Sequence, residues 1–141
     1  MESALEKPAL VGAKTAPRST TVIYWLVTGL FCLQMAFTAY AQLRLPQVAD
    51  AFKHLGFPPY FRVELSLAKM LGVLLLVMPV PPRLKEWAYA GFAIDIGSAI
   101  VAHLASGDGV QAWGWAVATG VLWALSYVFW RRLQAMPAAT R

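Results

Sequence analysis

The 141-residue chain has the length of a single domain, but its composition differs from that of a soluble domain. Hydrophobic residues make up 59% and charged residues 13%, against about 45–50% and about 25% in soluble domains. The net charge of +5 comes from Lys and Arg residues placed mostly between long apolar runs, so no clustered basic face indicates a nucleic-acid partner. The single cysteine, Cys32, excludes an internal disulfide and a thiolate zinc site, and we predict no metal.

Four apolar segments follow one another along the chain, and each is long enough to be read as a membrane-spanning helix of about 20 residues. The first segment contains no charged residue, and the fourth contains none before its last position. The second and third segments contain ionisable residues. We predict a membrane domain over 21–132, a disordered tail over 1–20 and a second tail over 133–141. The predicted helices are 21–43, 63–80, 84–105 and 110–131.

The connection between the first two segments contains the pattern of a short amphipathic helix. Pro46 favours a helix start, Gly56 favours a stop, and the apolar positions follow helical spacing. We predict a surface helix that covers this outer connection. The apolar positions are Val48, Ala51, Phe52 and Leu55.

The distribution of basic residues predicts the orientation in the membrane, because cytoplasmic connections are enriched in Lys and Arg. Both termini and the second connection carry most of them, so we expect both termini to be cytoplasmic in a bacterial-type inner membrane. A cleaved signal peptide is the alternative for the first segment, whose apolar run exceeds the roughly 7–15 residues of such peptides. The residues on the cytoplasmic side are Lys7, Lys14, Arg18, Arg83, Lys85, Arg131, Arg132 and Arg141.

Ionisable residues at membrane depth are functional candidates, because leaving them unpaired costs several kcal/mol. Counting residues from the outer helix ends places one polar residue of each segment in one layer, and we predict that two of them, Lys69 and Asp95, form a pair. The other two residues of this layer are Gln34 and Thr119. Glu64 and His103 are expected to meet at the outer rim. The candidates for ligand binding or proton exchange in a polar cavity open to the outside are Lys69, Asp95, Glu64, His103 and Gln34. The alternative is a structural ion pair that fixes the register of the helices.

The fourth segment carries a stripe of small residues every four positions, which allows helices to approach closely in a membrane. This helix-packing face could serve the predicted four-helix bundle or a homo-oligomer, and the sequence does not separate the two. The stripe consists of Ala112, Ala116, Gly120 and Ala124.

Several short motifs of the central part resemble the DoxX-like family of small four-helix membrane proteins. They are 55–61 (LGFPPYF), Glu64, 68–72 (AKMLG), 82–92 (PRLKEWAYAGF), His103 and 106–108 (SGD). Members of this family are similar to the small membrane subunit of an archaeal thiosulfate:quinone oxidoreductase, and others act as accessory proteins in the assembly of partners. The family supplies no agreed catalytic residues.

The resemblance and the polar layer together favour a membrane subunit of a quinone-linked oxidoreductase complex, with quinone as the candidate cofactor and a redox subunit as the partner. The alternative is a non-enzymatic scaffold or assembly factor that docks a partner through the small-residue face and the outer connection. A passive transporter for a small solute is a third hypothesis. Whether the chain is an enzyme at all is left open.

Overall fold

A computed structural model of the chain describes residues 18–136 and contains only helices in this part. Three of the five described helices, α1, α4 and α5, are long and apolar enough to cross a membrane. The 19-residue α3 is not among them, and it carries Arg62, Glu64 and Lys69. The helices are α1 (Arg18–Arg44), α2 (Pro46–His54), α3 (Pro59–Val77), α4 (Pro82–Ala105) and α5 (Val110–Gln134).

Prolines and glycines set the helix boundaries. Pro59 occupies the first turn of α3, so this helix begins four residues before the predicted start at 63. It ends at Val77, just before Pro79, instead of at 80. The short α2 lies where the outer connection was expected, and Gly56 follows it with a φ of +81°, which favours glycine.

The predicted tails lie largely outside the described residues. Positions 1–17 and 137–141 belong to that part of the chain. Residues 18–20, predicted as part of the first tail, form the first turn of α1. Residues 133–134, predicted as part of the second tail, are still helical in α5.

The four long helices contact one another in a ring, in the order α1, α3, α4 and α5, and α2 lies against α1 and α3. Their shared core contains Phe31 and Phe92, whose rings meet edge to face with centroids 5.0 Å apart. Gly72 lets α3 approach this core closely, because an added Cβ would lie 2.7 Å from the ring of Phe92. The packing of α3 on α4 therefore depends on a glycine at this position.

A cluster of buried hydroxyl groups joins the three helices that meet the criteria for a membrane span. The Thr28 and Tyr89 hydroxyls each lie 2.7 Å from the Ser126 hydroxyl, so the cluster includes one residue each from α1, α4 and α5. The indole of Trp123 also donates a hydrogen bond of 3.0 Å to the backbone carbonyl of Tyr89. Hydrogen bonds of this kind hold helices together where lipid offers no competing partner.

The outer surface of the long helices is apolar over most of their length. A soluble monomer rarely exposes contiguous apolar surface on this scale, and lipid is the solvent that such a surface fits. Side chains at least half exposed include Leu26, Leu33 and Phe37 of α1, Leu67, Leu71 and Leu74 of α3, and Ile94 and Val101 of α4.

The small-residue face of α5 takes part in packing within the chain. A Cβ added to Gly120 would lie 3.4 Å from Cγ2 of Ile96 on α4. Ala112, Ala116 and Ala124 are partly buried as well. At Gly120, this face lies against α4, and whether it also serves a homo-oligomer stays a prediction.

Candidate functional site

A cleft of about 290 Å³ lies between α3 and α4 and is lined by residues of these two helices alone. Its walls are mostly apolar, with small residues such as Ala68 and Gly91 leaving space between the helix backbones. Leu71 and Trp87 stand at its edge with 59% and 75% of their surface exposed, so the cleft opens on the outer face of the ring. We call this space the α3–α4 cleft.

Two opposite charges line the α3–α4 cleft. Lys69 Nζ lies 3.4 Å from Asp95 Oδ2, and the two side chains are only 9% and 13% exposed. The predicted pairing of these two residues is confirmed. No other described residue hydrogen bonds to either group, so the remaining N–H donors of Lys69 and acceptor sites of Asp95 are available to a ligand.

Gln34 does not line the α3–α4 cleft and instead contacts Thr119, which was expected at the same depth. Its amide nitrogen donates a 2.6 Å hydrogen bond to the hydroxyl of Thr119, which in turn donates to the backbone carbonyl of Trp115. The contact joins α1 to α5. Gln34 and the ion pair therefore belong to different helix interfaces.

The expected meeting of Glu64 and His103 is wrong. His103 Nδ1 instead lies 2.6 Å from Asp108 Oδ2, in the connection between α4 and α5. This connection folds back on α4 through Gly107, whose φ of +71° favours glycine, and so it carries Asp108 to the histidine. Glu64 is exposed and makes no ion pair or hydrogen bond with the described residues.

Asp108 also binds a second histidine. His54 Nε2, at the end of α2, lies 2.8 Å from Asp108 Oδ1, so one carboxylate bridges two imidazoles. Hydrogen bonds from His103 and, to a smaller extent, from His54 lower the pKa of Asp108 below its usual value. The bridge fastens α2 to the connection after α4. Among residues 18–136, no three or more His, Cys, Asp or Glu residues are placed to hold a metal ion.

Polar contacts at the C-terminal end of α1 hold α3 on the side away from the α3–α4 cleft. The guanidinium of Arg62 donates to the backbone carbonyl of Gln42, and the hydroxyl of Ser66 donates to Gln42 Oε1 at 3.0 Å. Gln42 and Ser66 are both buried. The sequence analysis missed this contact, since Gln42 lies just inside the last turn of an otherwise apolar segment.

A protein-family model described as the DoxX-like family matches residues 26–126, which is most of the described chain. The chain belongs to the DoxX-like family. The match includes α2, the α3–α4 cleft and both histidines with Asp108, and it confirms the resemblance seen in the sequence. No curated protein and no solved structure matches the chain. This DoxX-like protein is therefore a membrane protein by family and by its apolar helices.

Proposed function

We propose that this DoxX-like protein binds the ring of a quinone in the α3–α4 cleft and is a membrane subunit of a quinone-linked oxidoreductase complex. The observation that carries the proposal is the Lys69–Asp95 pair, 3.4 Å apart in a cleft with apolar walls. Ligand sites typically combine such walls with a few converging polar groups. A quinone has the matching chemistry, because its two carbonyl groups are polar and its tail is apolar.

The dimensions of the α3–α4 cleft favour a flat ring whose tail lies outside. Its volume of about 290 Å³ is at the lower end of ligand pockets, which span about 300–1,000 Å³. Phe92 and Trp87 provide aromatic surface against which a ring can stack. The open edge lies on the apolar outer face of α3 and α4, where an isoprenoid tail would contact lipid.

The two charged groups have complementary roles in this proposal. The ammonium of Lys69 donates a hydrogen bond to a quinone carbonyl oxygen, and the carboxyl group of Asp95 exchanges a proton with it. Reduction of a quinone to a quinol takes up two electrons and two protons. We assign proton transfer to Asp95, which takes up one proton at a time from water and delivers it to the quinone in each of two steps, and a partner subunit that carries a redox centre supplies the two electrons.

A fourth membrane span, α3, is part of the same proposal. Its 19 residues extend about 28 Å, close to the roughly 30 Å hydrocarbon thickness. Arg62 and Glu64 lie in its first two turns, where side chains reach the interface, and Lys69 is paired with Asp95.

The ends of the helices differ in charge, which favours cytoplasmic termini and an inner membrane. We call the end where α1 begins and α5 ends the basic end. Glu86 is the one carboxylate there among the described residues. The basic residues of this end are Arg18, Arg83, Lys85, Arg131 and Arg132.

The test uses the double variant Lys69→Met with Asp95→Asn and the matched control Lys53→Met with Asp50→Asn. The control removes an ion pair of 3.4 Å whose side chains are 71% and 73% exposed, far from the α3–α4 cleft. We measure two quantities: the binding of a short-chain quinone to the purified protein and the quinone-linked activity of native membranes. We expect both to fall in the first variant and to persist in the control. Unchanged binding and activity in the first variant would refute the proposal.

The scaffold function remains a second prediction with less support. Its proposed docking face on α5 is partly used within the chain, since Gly120 faces Ile96. Gly120→Leu is therefore expected to destabilise the protein itself. Loss of a partner in this variant without any loss of thermal stability would favour the scaffold over the quinone site.

A further inference from the structure

A second cavity, of about 310 Å³, lies at the basic end of the helices and is separate from the α3–α4 cleft. Its lining combines aromatic side chains with one cation. Its lining includes Thr21, Tyr24, Trp25, Lys85 and Trp130, the connection at 79–80, and residues 133, 134 and 136 at the end of α5. We call it the basic-end cavity.

Lys85 is a half-buried cation in this cavity without a carboxylate partner among the described residues. Its ammonium donates one hydrogen bond of 2.8 Å to the backbone carbonyl of Leu76 and lies 6.0 Å from the centre of the Trp25 ring. The neighbouring carboxylate, Glu86, is bound to Arg131 at 2.8 Å. Since an ammonium has three N–H donors, two of them are left for a ligand.

The surroundings of Lys85 favour an anion. The basic end has five basic residues and one carboxylate in the described part of the chain, so its potential is positive. Trp25, with 48% of its surface exposed, is of the residue type enriched at the level of lipid headgroups, where the ring contacts apolar groups and the indole N–H contacts water, whereas Trp130 is buried and forms an inner apolar wall. A ligand for this cavity must therefore carry negative charge next to an apolar portion.

We propose that the basic-end cavity binds an anionic phospholipid, with the two free N–H groups of Lys85 donating to phosphate oxygens. The walls formed by Trp25 and Trp130 then pack against the glycerol and the first acyl methylenes. A phospholipid and a soluble phosphate share the chemistry that Lys85 recognises. The aromatic walls and the position at the end of the apolar helices favour the lipid.

The proposal is tested with the purified full-length protein and native mass spectrometry. Delipidated protein is titrated with phosphatidylglycerol or phosphatidylcholine in detergent, and bound lipid is counted. We expect one tightly bound phosphatidylglycerol and about tenfold weaker binding of phosphatidylcholine, because the trimethylammonium group of this zwitterionic lipid is repelled by the positive potential of the basic end. Equal affinity for the two lipids would overturn the proposal.

Variants localise the effect to the cavity. Lys85→Gln is expected to lower the affinity for phosphatidylglycerol about tenfold, whereas Lys85→Arg retains most of it. The matched control is Arg83→Gln, two residues away, exposed and outside the cavity lining. Because salt and water screen an exposed charge, we expect this control to change the affinity less than about twofold. Equal losses in the Lys85→Gln and Arg83→Gln variants would mean a diffuse surface charge and would refute the site.

A second variant tests the shape of the cavity without changing the charge of Lys85. Thr21 is exposed at the cavity, so Thr21→Trp narrows the cavity while leaving Lys85 in place, and it should lower phosphatidylglycerol binding by a similar factor. Inorganic phosphate at millimolar concentration is added as a competitor. Displacement of the lipid by phosphate alone would assign the cavity to a soluble anion and overturn the lipid proposal. Quinone binding to the α3–α4 cleft is expected to persist in every variant.

Discussion

Breaking the ion pair in the α3–α4 cleft is expected to cost more than removing it altogether. At 3.4 Å, two unit charges attract by about 5 kcal/mol for an effective dielectric constant of about 20. Exposures of 9% and 13% leave little water to replace a lost partner. We therefore expect Asp95→Asn to lower the free energy of unfolding by about 3–5 kcal/mol, since Lys69 remains buried and unpaired.

The double variant Lys69→Met with Asp95→Asn removes both charges, so we expect its stability to return to within about 1 kcal/mol of the unmodified protein. Together with the single variant Lys69→Met, these two variants and the unmodified protein form a double-mutant cycle, and the expected coupling energy is at least about 3 kcal/mol. Unfolding is followed by tryptophan fluorescence in detergent micelles. Single-variant losses below about 1 kcal/mol that simply add would refute the reasoning, because they would mean that water solvates both groups in the cleft.

Three further predictions test other parts of the structure. Gly72→Ala should lower the free energy of unfolding by about 1–3 kcal/mol, because the added Cβ would lie 2.7 Å from the buried ring of Phe92. Gly29→Ala is the control, since nothing lies within 4 Å of its added Cβ, and thermal melts of the two variants should differ accordingly. Tyr89→Phe should lower the free energy of unfolding by about 1 kcal/mol, because it removes the hydrogen bond to the buried hydroxyl of Ser126. Tyr24→Phe should lower it less, since the buried Tyr24 hydroxyl makes no hydrogen bond with the described residues. The pKa of Asp108 is lower in the folded than in the unfolded protein, because His103 and His54 hydrogen bond to its carboxylate. These hydrogen bonds therefore stabilise the fold fully above about pH 4, and the stabilisation is lost as the pH falls through the folded-state pKa. Asp108→Asn should therefore reduce stability at pH 7 and make no difference in strong acid, and an equal loss at both pH values would contradict the proposed bridge.

Simple counting along helices was enough to predict the ion pair. Lys69 and Asp95 lie on helices joined by a short connection, so their depths follow from the rise per residue, and an unpaired charge at that depth is costly. The boundaries of α2 were similarly accessible, because Pro46 and Gly56 are strong local signals.

The rotation of α1 and the path of the last connection were not accessible from the sequence. Apolar residues surround α1 on all sides, so nothing in its periodicity indicates that Gln34 faces Thr119. His103 was assigned to Glu64 by depth alone. Its true partner, Asp108, is only five residues further on, and the turn at Gly107 brings it back.

The polar contacts of α3 have a consequence for how the protein enters the membrane during synthesis. A lysine or an aspartate at the centre of a helix raises the free energy of insertion by about 3 kcal/mol, so α3 is the poorest substrate for insertion by itself. Only four residues, 78–81, separate it from α4, which carries the compensating Asp95. In the proposed four-span arrangement, α3 and α4 are thus expected to enter the bilayer together as a helical hairpin. Substituting either charge alone would leave the other charge unpaired as the hairpin enters, so we expect a lower yield of inserted protein from the single variants than from the double variant.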